Sequence, residues 1–265
     1  MGLLFATSLG AQVIPPLPDS SGWGVHVLAI ARAPDSAIWV GTYGQGIFVL
    51  RKGAGSWEQI RSSSDTGAHA ISWDFVHAFG FGPRGQIWYG TVGNGWGLSI
   101  DGGKTWRNWE FGQLGPEWQY VTPDGILTRG DTTYIATADG IKLTWDDGQT
   151  WRVITDSIGA TTAKDSVWGR IRNQYVLAFG EGFTPGELFV SHLRGCDVSD
   201  SRGRTWTALV IHDACEGAPP PRGVGRLSLE RDLSARRWAA TSSRIKASSS
   251  TIPTGLRSRR SATAS

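Results

Sequence analysis

At 265 residues the chain is long enough to bury a substantial core within one domain. Thirty-six glycines and 14 tryptophans, with a single methionine, suit tight turns and aromatic packing between short strands better than helices. No run approaches the roughly 18 apolar residues of a membrane span. The formal charge of +3 is unevenly placed: residues 216–265 hold ten Lys/Arg against three Asp/Glu, and the first 215 residues hold 16 against 20. The basic balance belongs to the C-terminal stretch, so no nucleic-acid-binding face is expected on the folded body.

Residues 1–12 carry a short apolar patch (Leu3, Leu4, Phe5, Ala6) and then small residues through Ala11. They read as the remnant of a secretory signal peptide that lacks a positive start, so a secreted or periplasmic protein is expected. Residues 13–21 (VIPPLPDSS) read as an extended lead-in.

From residue 27 a pattern repeats. Residues 27–42 (VLAIARAPDSAIWVGT) and 76–91 (VHAFGFGPRGQIWYGT) align at an offset of 49. Each gives a strand, a turn containing Pro, and a strand ending in Gly-Thr. Residues 125–137 and 175–191 are weaker copies, with Tyr134 and Phe189 in the slot of Trp39 and Trp88. A third short strand (47–50, 97–99, 141–144, 196–199) then leads into a second repeated signature.

That signature is clearest at residues 99–106 (SIDGGKTW), recurs at 144–151 (TWDDGQTW), and recurs at 199–206 (SDSRGRTW) with the acid displaced by one position. Residues 51–57 are a shorter version ending in Trp57. Hydroxyl and Asp side chains accept bonds from turn amides, Gly takes the φ > 0 position, and Trp drives a large apolar surface into a core. The structural set is Ser99, Asp101, Gly103, Thr105 and Trp106, then Thr144, Asp146, Gly148, Thr150 and Trp151, and finally Ser199, Gly203, Thr205 and Trp206.

These motifs resemble the Asp-box, or BNR, repeat of sialidase-like β-propellers, and the W-V-G-T strand is similar to the sensor propellers of two-component regulators. The resemblance covers residues 25–211 and implies an all-β propeller of four-stranded blades, with four recognisable repeats that make a complete or an incomplete ring. In that family the box is structural and lies away from the catalytic centre. The expected organisation is residues 1–21 as leader and lead-in, 22–215 as propeller repeats, and 216–265 as a basic, low-complexity, disordered tail.

Candidates for chemistry are fewer. One carboxylate per box falls short of a Ca²⁺ shell, so Asp101 and Asp146 are read as turn residues and no metal or cofactor is expected. Asp74, Glu117, Asp124 and Glu181 lie in connections that reach one face and are the only acid-base candidates, with nothing in the sequence pairing them. The Arg-Ile-Pro signature that a sialidase resemblance would require is missing. Trp23, Trp73, Trp96, Trp109, Trp118 and Trp168 sit outside the shared slots, and Trp73, Trp118 and Trp168 are taken as ligand-binding aromatics. His26, His77 and His192 are expected to be partly buried. Cys196 and Cys215 allow one disulfide in an exported protein.

The expected function is a noncatalytic exported module that binds or senses a glycan, peptide or protein through the loops entering each blade. The alternatives are an Asp-box glycoside hydrolase of sialidase-like or endoglucanase-like type, and a protein-assembly scaffold. An open propeller edge would also invite self-association.

Overall fold

Alternating apolar residues bounded by Gly-rich turns set the strands, and each strand pairs with the next in sequence. The computed structural model describes residues 14–110, 113, 120–156, 167–181 and 186–209. Sheet 1 is β1 (Val27–Arg32), β2 (Ile38–Thr42), β3 (Ile47–Leu50) and β4 (Glu58–Ile60). Sheet 2 is β5 (Val76–Phe81), β6 (Ile87–Thr91), β7 (Trp96–Ser99) and β8 (Arg107–Trp109). Sheet 3 is β9 (Val121–Arg129), β10 (Thr132–Thr137), β11 (Gly140–Thr144) and β12 (Arg152–Thr155), with a fifth strand, β13 (Val167–Arg170), parallel to β12. Sheet 4 is β14 (Val176–Glu181), β15 (Leu188–His192), β16 (Gly195–Ser199) and β17 (Thr207–Leu209). The only helical element among the described residues is a 3₁₀ turn at Thr66–Ala68.

The arrangement is β-propeller-like. β1 packs along β5, β5 along β9 and β9 along β14, so the first strands line the centre. The four sheets do not close into a ring. The free side of β1 is correspondingly apolar and open, with Ile30 70% exposed. At the equivalent position in sheet 2, Phe79 is buried against sheet 1.

Three cores lie between successive sheets. Trp39, Ile47 and Val49 of sheet 1 meet Phe79, Tyr89 and Trp106 of sheet 2. Trp88, Trp96 and Leu98 meet Ile126, Ile135 and Trp151. Tyr134, Leu143 and Ile154 meet Val176, Leu188, Val190 and Trp206. Trp96 and Trp109, which sit outside the shared slots in the sequence, belong to the core. Trp96 is fully buried in β7, and Trp109 stacks on Trp88 at 5.7 Å and meets Trp151 at 5.2 Å.

By contact, the chain divides into residues 1–210 and 211–265. Cys196, in β16, is disulfide-bonded. Cys215 and the expected tail lie outside the described residues.

Candidate functional site at the connection end

The meander gives each sheet two ends. One end carries the first-to-second and third-to-fourth turns, including the repeated Trp-terminated turns. The other carries the second-to-third turns and the connections that lead into the next sheet.

At the first end the polar side chains are consumed by the backbone. Asp101 accepts from the Lys104 and Thr105 amides, both at 3.0 Å, and from the Thr105 hydroxyl at 2.6 Å. The Ser99 hydroxyl donates to Asp101 at 2.7 Å and accepts from Gly103 N at 2.9 Å. The Thr105 hydroxyl first, with these other donors, holds the Asp101 carboxyl far below the usual carboxylate range. Asp146 repeats the pattern with Thr144 and Thr150. In the third copy Ser201 replaces the acid and accepts from Thr205 N at 2.8 Å. Gly103 has φ +92°, and a Cβ there would sit 2.8 Å from the Trp39 ring, so both conformation and space require glycine. The acids of the repeated turns are thus spent within their own turns, and no cluster of three His, Cys, Asp or Glu occurs among the described residues.

The connection end differs. Between β4 and β5 the chain folds back, and Asp74 fastens it to sheet 1. Its backbone carbonyl accepts from Gly44 N at 3.1 Å and Gly46 N at 3.0 Å. Its carboxylate accepts from Ser62 N at 2.7 Å and pairs with Arg61 at 2.8 Å. Sheet 2 holds the same segment from the other side. Ser72 N donates to the Tyr89 hydroxyl at 2.6 Å, which donates to Asn108 Oδ1 at 2.7 Å, and Asn108 Nδ2 donates to Ala70 O at 2.8 Å. Burial pushes the Tyr89 hydroxyl well above its ordinary value, so it stays a neutral donor.

This clamp presents an aromatic cluster. Phe75 meets Tyr43 edge-on at 4.6 Å and lies against Trp73 at 4.5 Å with a 38° tilt. Tyr43 is 59% exposed and Trp73 36% exposed. Tyr43 N donates to His26 O at 2.9 Å, which ties the approach to β1 into the same surface.

Further along, His77 Nε2 donates to Val121 O across the gap between β5 and β9, and the ring meets Tyr120 edge-on at 5.1 Å. Burial pushes the imidazole down, against backbone contacts with Val121 and Thr91 and the charge of Asp124, so His77 is a neutral strut. Asp124 sits at φ +54° within an irregular stretch of β9 and is exposed. His192 is buried, with Nε2 on Asp197 at 3.0 Å, and Asp197 also takes Arg172 Nε at 2.6 Å.

Of the expected site residues, Trp73 therefore lies on an exposed aromatic surface, and Asp74 is its fastening. Asp124 lies on another connection, and the structure shows no carboxylate partner for it among the described residues. Glu117 and Trp118 lie outside the described residues, and Trp168 and Glu181 fall in β13 and β14 with their side chains outside them. The idea that Trp73 and Trp118 occupy no shared slot is corrected. Val76 and Val121 hold equivalent register, each opposite the Thr that ends the second strand, and the chain before them reads W-D-F-V and W-Q-Y-V. Tyr43 and Phe75 were missed, although Phe75 and Tyr120 share that short motif.

No protein-family profile matches the chain. No curated protein matches it either. Solved structures do. The extracellular domain of a one-component system from B. thetaiotaomicron aligns with a TM-score of 0.52 and 15% identity over 71% of this chain and 25% of that one. The extracellular domain of a hybrid two-component system from the same organism gives 0.50 and 18% over 69% and 23%. A GH74 xyloglucanase from Xanthomonas campestris gives 0.48 and 16% over 69% and 30%. The chain spans about a quarter of the length of the two sensor domains it matches. The likenesses to the two extracellular domains bear on fold alone.

Proposed function

We propose that this chain is a noncatalytic binding or sensing module of the Asp-box propeller type, working outside the cytoplasm and taking its ligand at the connection end. Residues 22–215 carry the repeats, and 216–265 form a separate segment. The observation that carries this reading is the Tyr43–Phe75–Trp73 cluster, held rigid from both sides while its rings stay open to solvent. Solvent-exposed aromatics on a fixed scaffold are what ligand capture needs, because the ordering cost is met before binding. The extracellular setting draws support from the disulfide at Cys196 and from the sensor domains of similar fold.

Against hydrolysis stands the state of Asp74, whose carboxylate is committed to Ser62 and Arg61. A general acid needs a carboxyl free to meet the glycosidic oxygen, with a second one across the bond. Purified protein is expected to give no turnover on xyloglucan, β-glucan or sialosides, and to bind on a glycan and peptide array. Trp73→Ala abolishes that binding at unchanged melting temperature. Turnover that disappears in Asp124→Asn would reverse this reading in favour of a glycosidase.

A further inference from the structure

Among the described residues three aromatic side chains stand exposed, and all three belong to the connection end of sheet 1 and its link to sheet 2. Trp23 is 89% exposed, Tyr43 59% and Trp73 36%. Two of them belong to the cluster on Phe75. Trp23 comes from a different segment, the approach to β1, and its setting is as ordered as theirs. Asp19 Oδ1 accepts from Ser21 N at 2.9 Å and Gly22 N at 3.1 Å, and Oδ2 accepts from Gly24 N at 2.7 Å. Trp23 N donates to Ser21 Oγ at 3.1 Å. Gly22 and Gly24, at φ +74° and +88°, flank the residue, so the backbone turns outward on both sides of it. Scattered exposed apolar residues need no explanation. A built turn that holds the largest side chain almost wholly in water, three residues before the carbonyl that binds Tyr43 N, does.

The charged groups named at this surface have partners within the protein. Asp19 is spent on its own turn, and Arg61 pairs with Asp74. What remains is aromatic area with hydroxyl-compatible groups, the Tyr43 phenol and the exposed His26 imidazole among them. Such a surface offers little to an anionic polymer, whose charges would meet the Asp19 carboxylate and an Arg61 already paired with Asp74. It suits a neutral chain whose rings have one apolar C–H face each and hydroxyls at their rims.

We infer that Trp23, Tyr43 and Trp73 form one stacking platform for a neutral β-linked oligosaccharide, with His26 and Tyr43 reading its hydroxyls. This rests on the binding function proposed above and narrows its ligand class. β-1,4-Linked glucose and mannose units present flat C–H faces, and indole and phenol rings take such faces by area burial and by the weak polarity of the ring. An edge-on Tyr43 and a tilted Trp73 on one Phe75 base offer rings at two inclinations, which fits the turn between successive sugars.

Titration calorimetry with cellohexaose and with β-1,4-mannohexaose tests it on the full chain. A hexagalacturonate and a proline-rich peptide serve as the charged and peptidic arms. At least one neutral hexasaccharide should bind, and hexagalacturonate should bind at least tenfold more weakly. Trp23→Ala and Tyr43→Ala should each raise Kd about tenfold at unchanged melting temperature, and Trp23→Phe should recover most of the loss. If a hexasaccharide binds with Trp73 required while Trp23→Ala stays within twofold of the parent, the binding site stands and the three-ring platform is overturned. If neither hexasaccharide binds, or only the peptide does, the carbohydrate assignment is overturned, and the array result still decides the binding function on its own.

Discussion

Trp106 meets Trp39 edge-on at 6.4 Å and 81°, and this contact joins the third-to-fourth turn of one sheet to the second strand of the sheet before it. Trp151 on Trp88 repeats the geometry at 6.1 Å and 80°. Trp206 takes the corresponding place beside Tyr134, whose hydroxyl donates to Arg202 O at 3.3 Å. The Trp39, Trp88 and Trp106 indole nitrogens are buried without an acceptor. Trp39, Trp88 and Trp106 therefore join the sheets through buried area and ring contacts, in spite of an unmet indole donor on each.

Trp106→Ala should then destabilise the fold by about 3–5 kcal/mol, the range for removing a large aromatic from a core. Urea unfolding would show it as a lower midpoint at unchanged slope. A midpoint equal to the parent's would mean that the sheets do not depend on this ring.

Asp101 and Asp146 make the fold acid-sensitive. The Thr105 hydroxyl leads the donors that hold Asp101 down. For Asp146 partial burial opposes, and the Thr150 amide and hydroxyl outweigh it. A carboxyl that loses its proton more readily when folded stabilises the fold by ionising. That contribution is complete above the unfolded value of about 3.9 and drains away as pH falls toward the folded value. The melting temperature should therefore decline steeply below about pH 4. In Asp101→Asn it should start lower at pH 7 and decline less. Parallel declines in the two proteins would show that Asp101 does not carry the effect.

Lys142 is fully buried, with Nζ on the Asp139 carbonyl and carboxylate, each at 2.8 Å. Burial lowers the Lys142 pKa and raises that of Asp139, while each partner opposes the change in the other. Lys142→Met should cost about 3–5 kcal/mol by stranding Asp139, and the double change with Asp139→Asn should recover most of it. Equal losses in the single and double variants would show that the lysine acts by packing.

The strands and repeated turns were legible because their chemistry is local. Ser99, Asp101 and Gly103 satisfy one another within five residues, and the alternation around Trp39 and Trp88 sets the sheets. The connection end was legible only in part. Trp73 was singled out, but its fastening depends on Gly44, Gly46, Tyr89 and Asn108, which are brought to it only by the fold. Asp74 looks like a free acid in the sequence because its partners Ser62 and Arg61 lie across a chain reversal. Lys142 reads as a solvent residue until its strand is seen buried on both faces. β13 pairs in parallel with β12 after a long excursion, a pairing that no local pattern announces.

Indole N–H NMR of protein labelled at its 14 tryptophans tests most directly whether ligand meets the connection end. Trp23 and Trp73 report on that end, and Trp57 and Trp145 on the end with the repeated turns. Addition of cellohexaose, or of whichever array ligand binds, should shift the Trp23 and Trp73 resonances and leave Trp57 and Trp145 in place. Shifts confined to Trp57 and Trp145 would put the ligand at the opposite end and contradict the account.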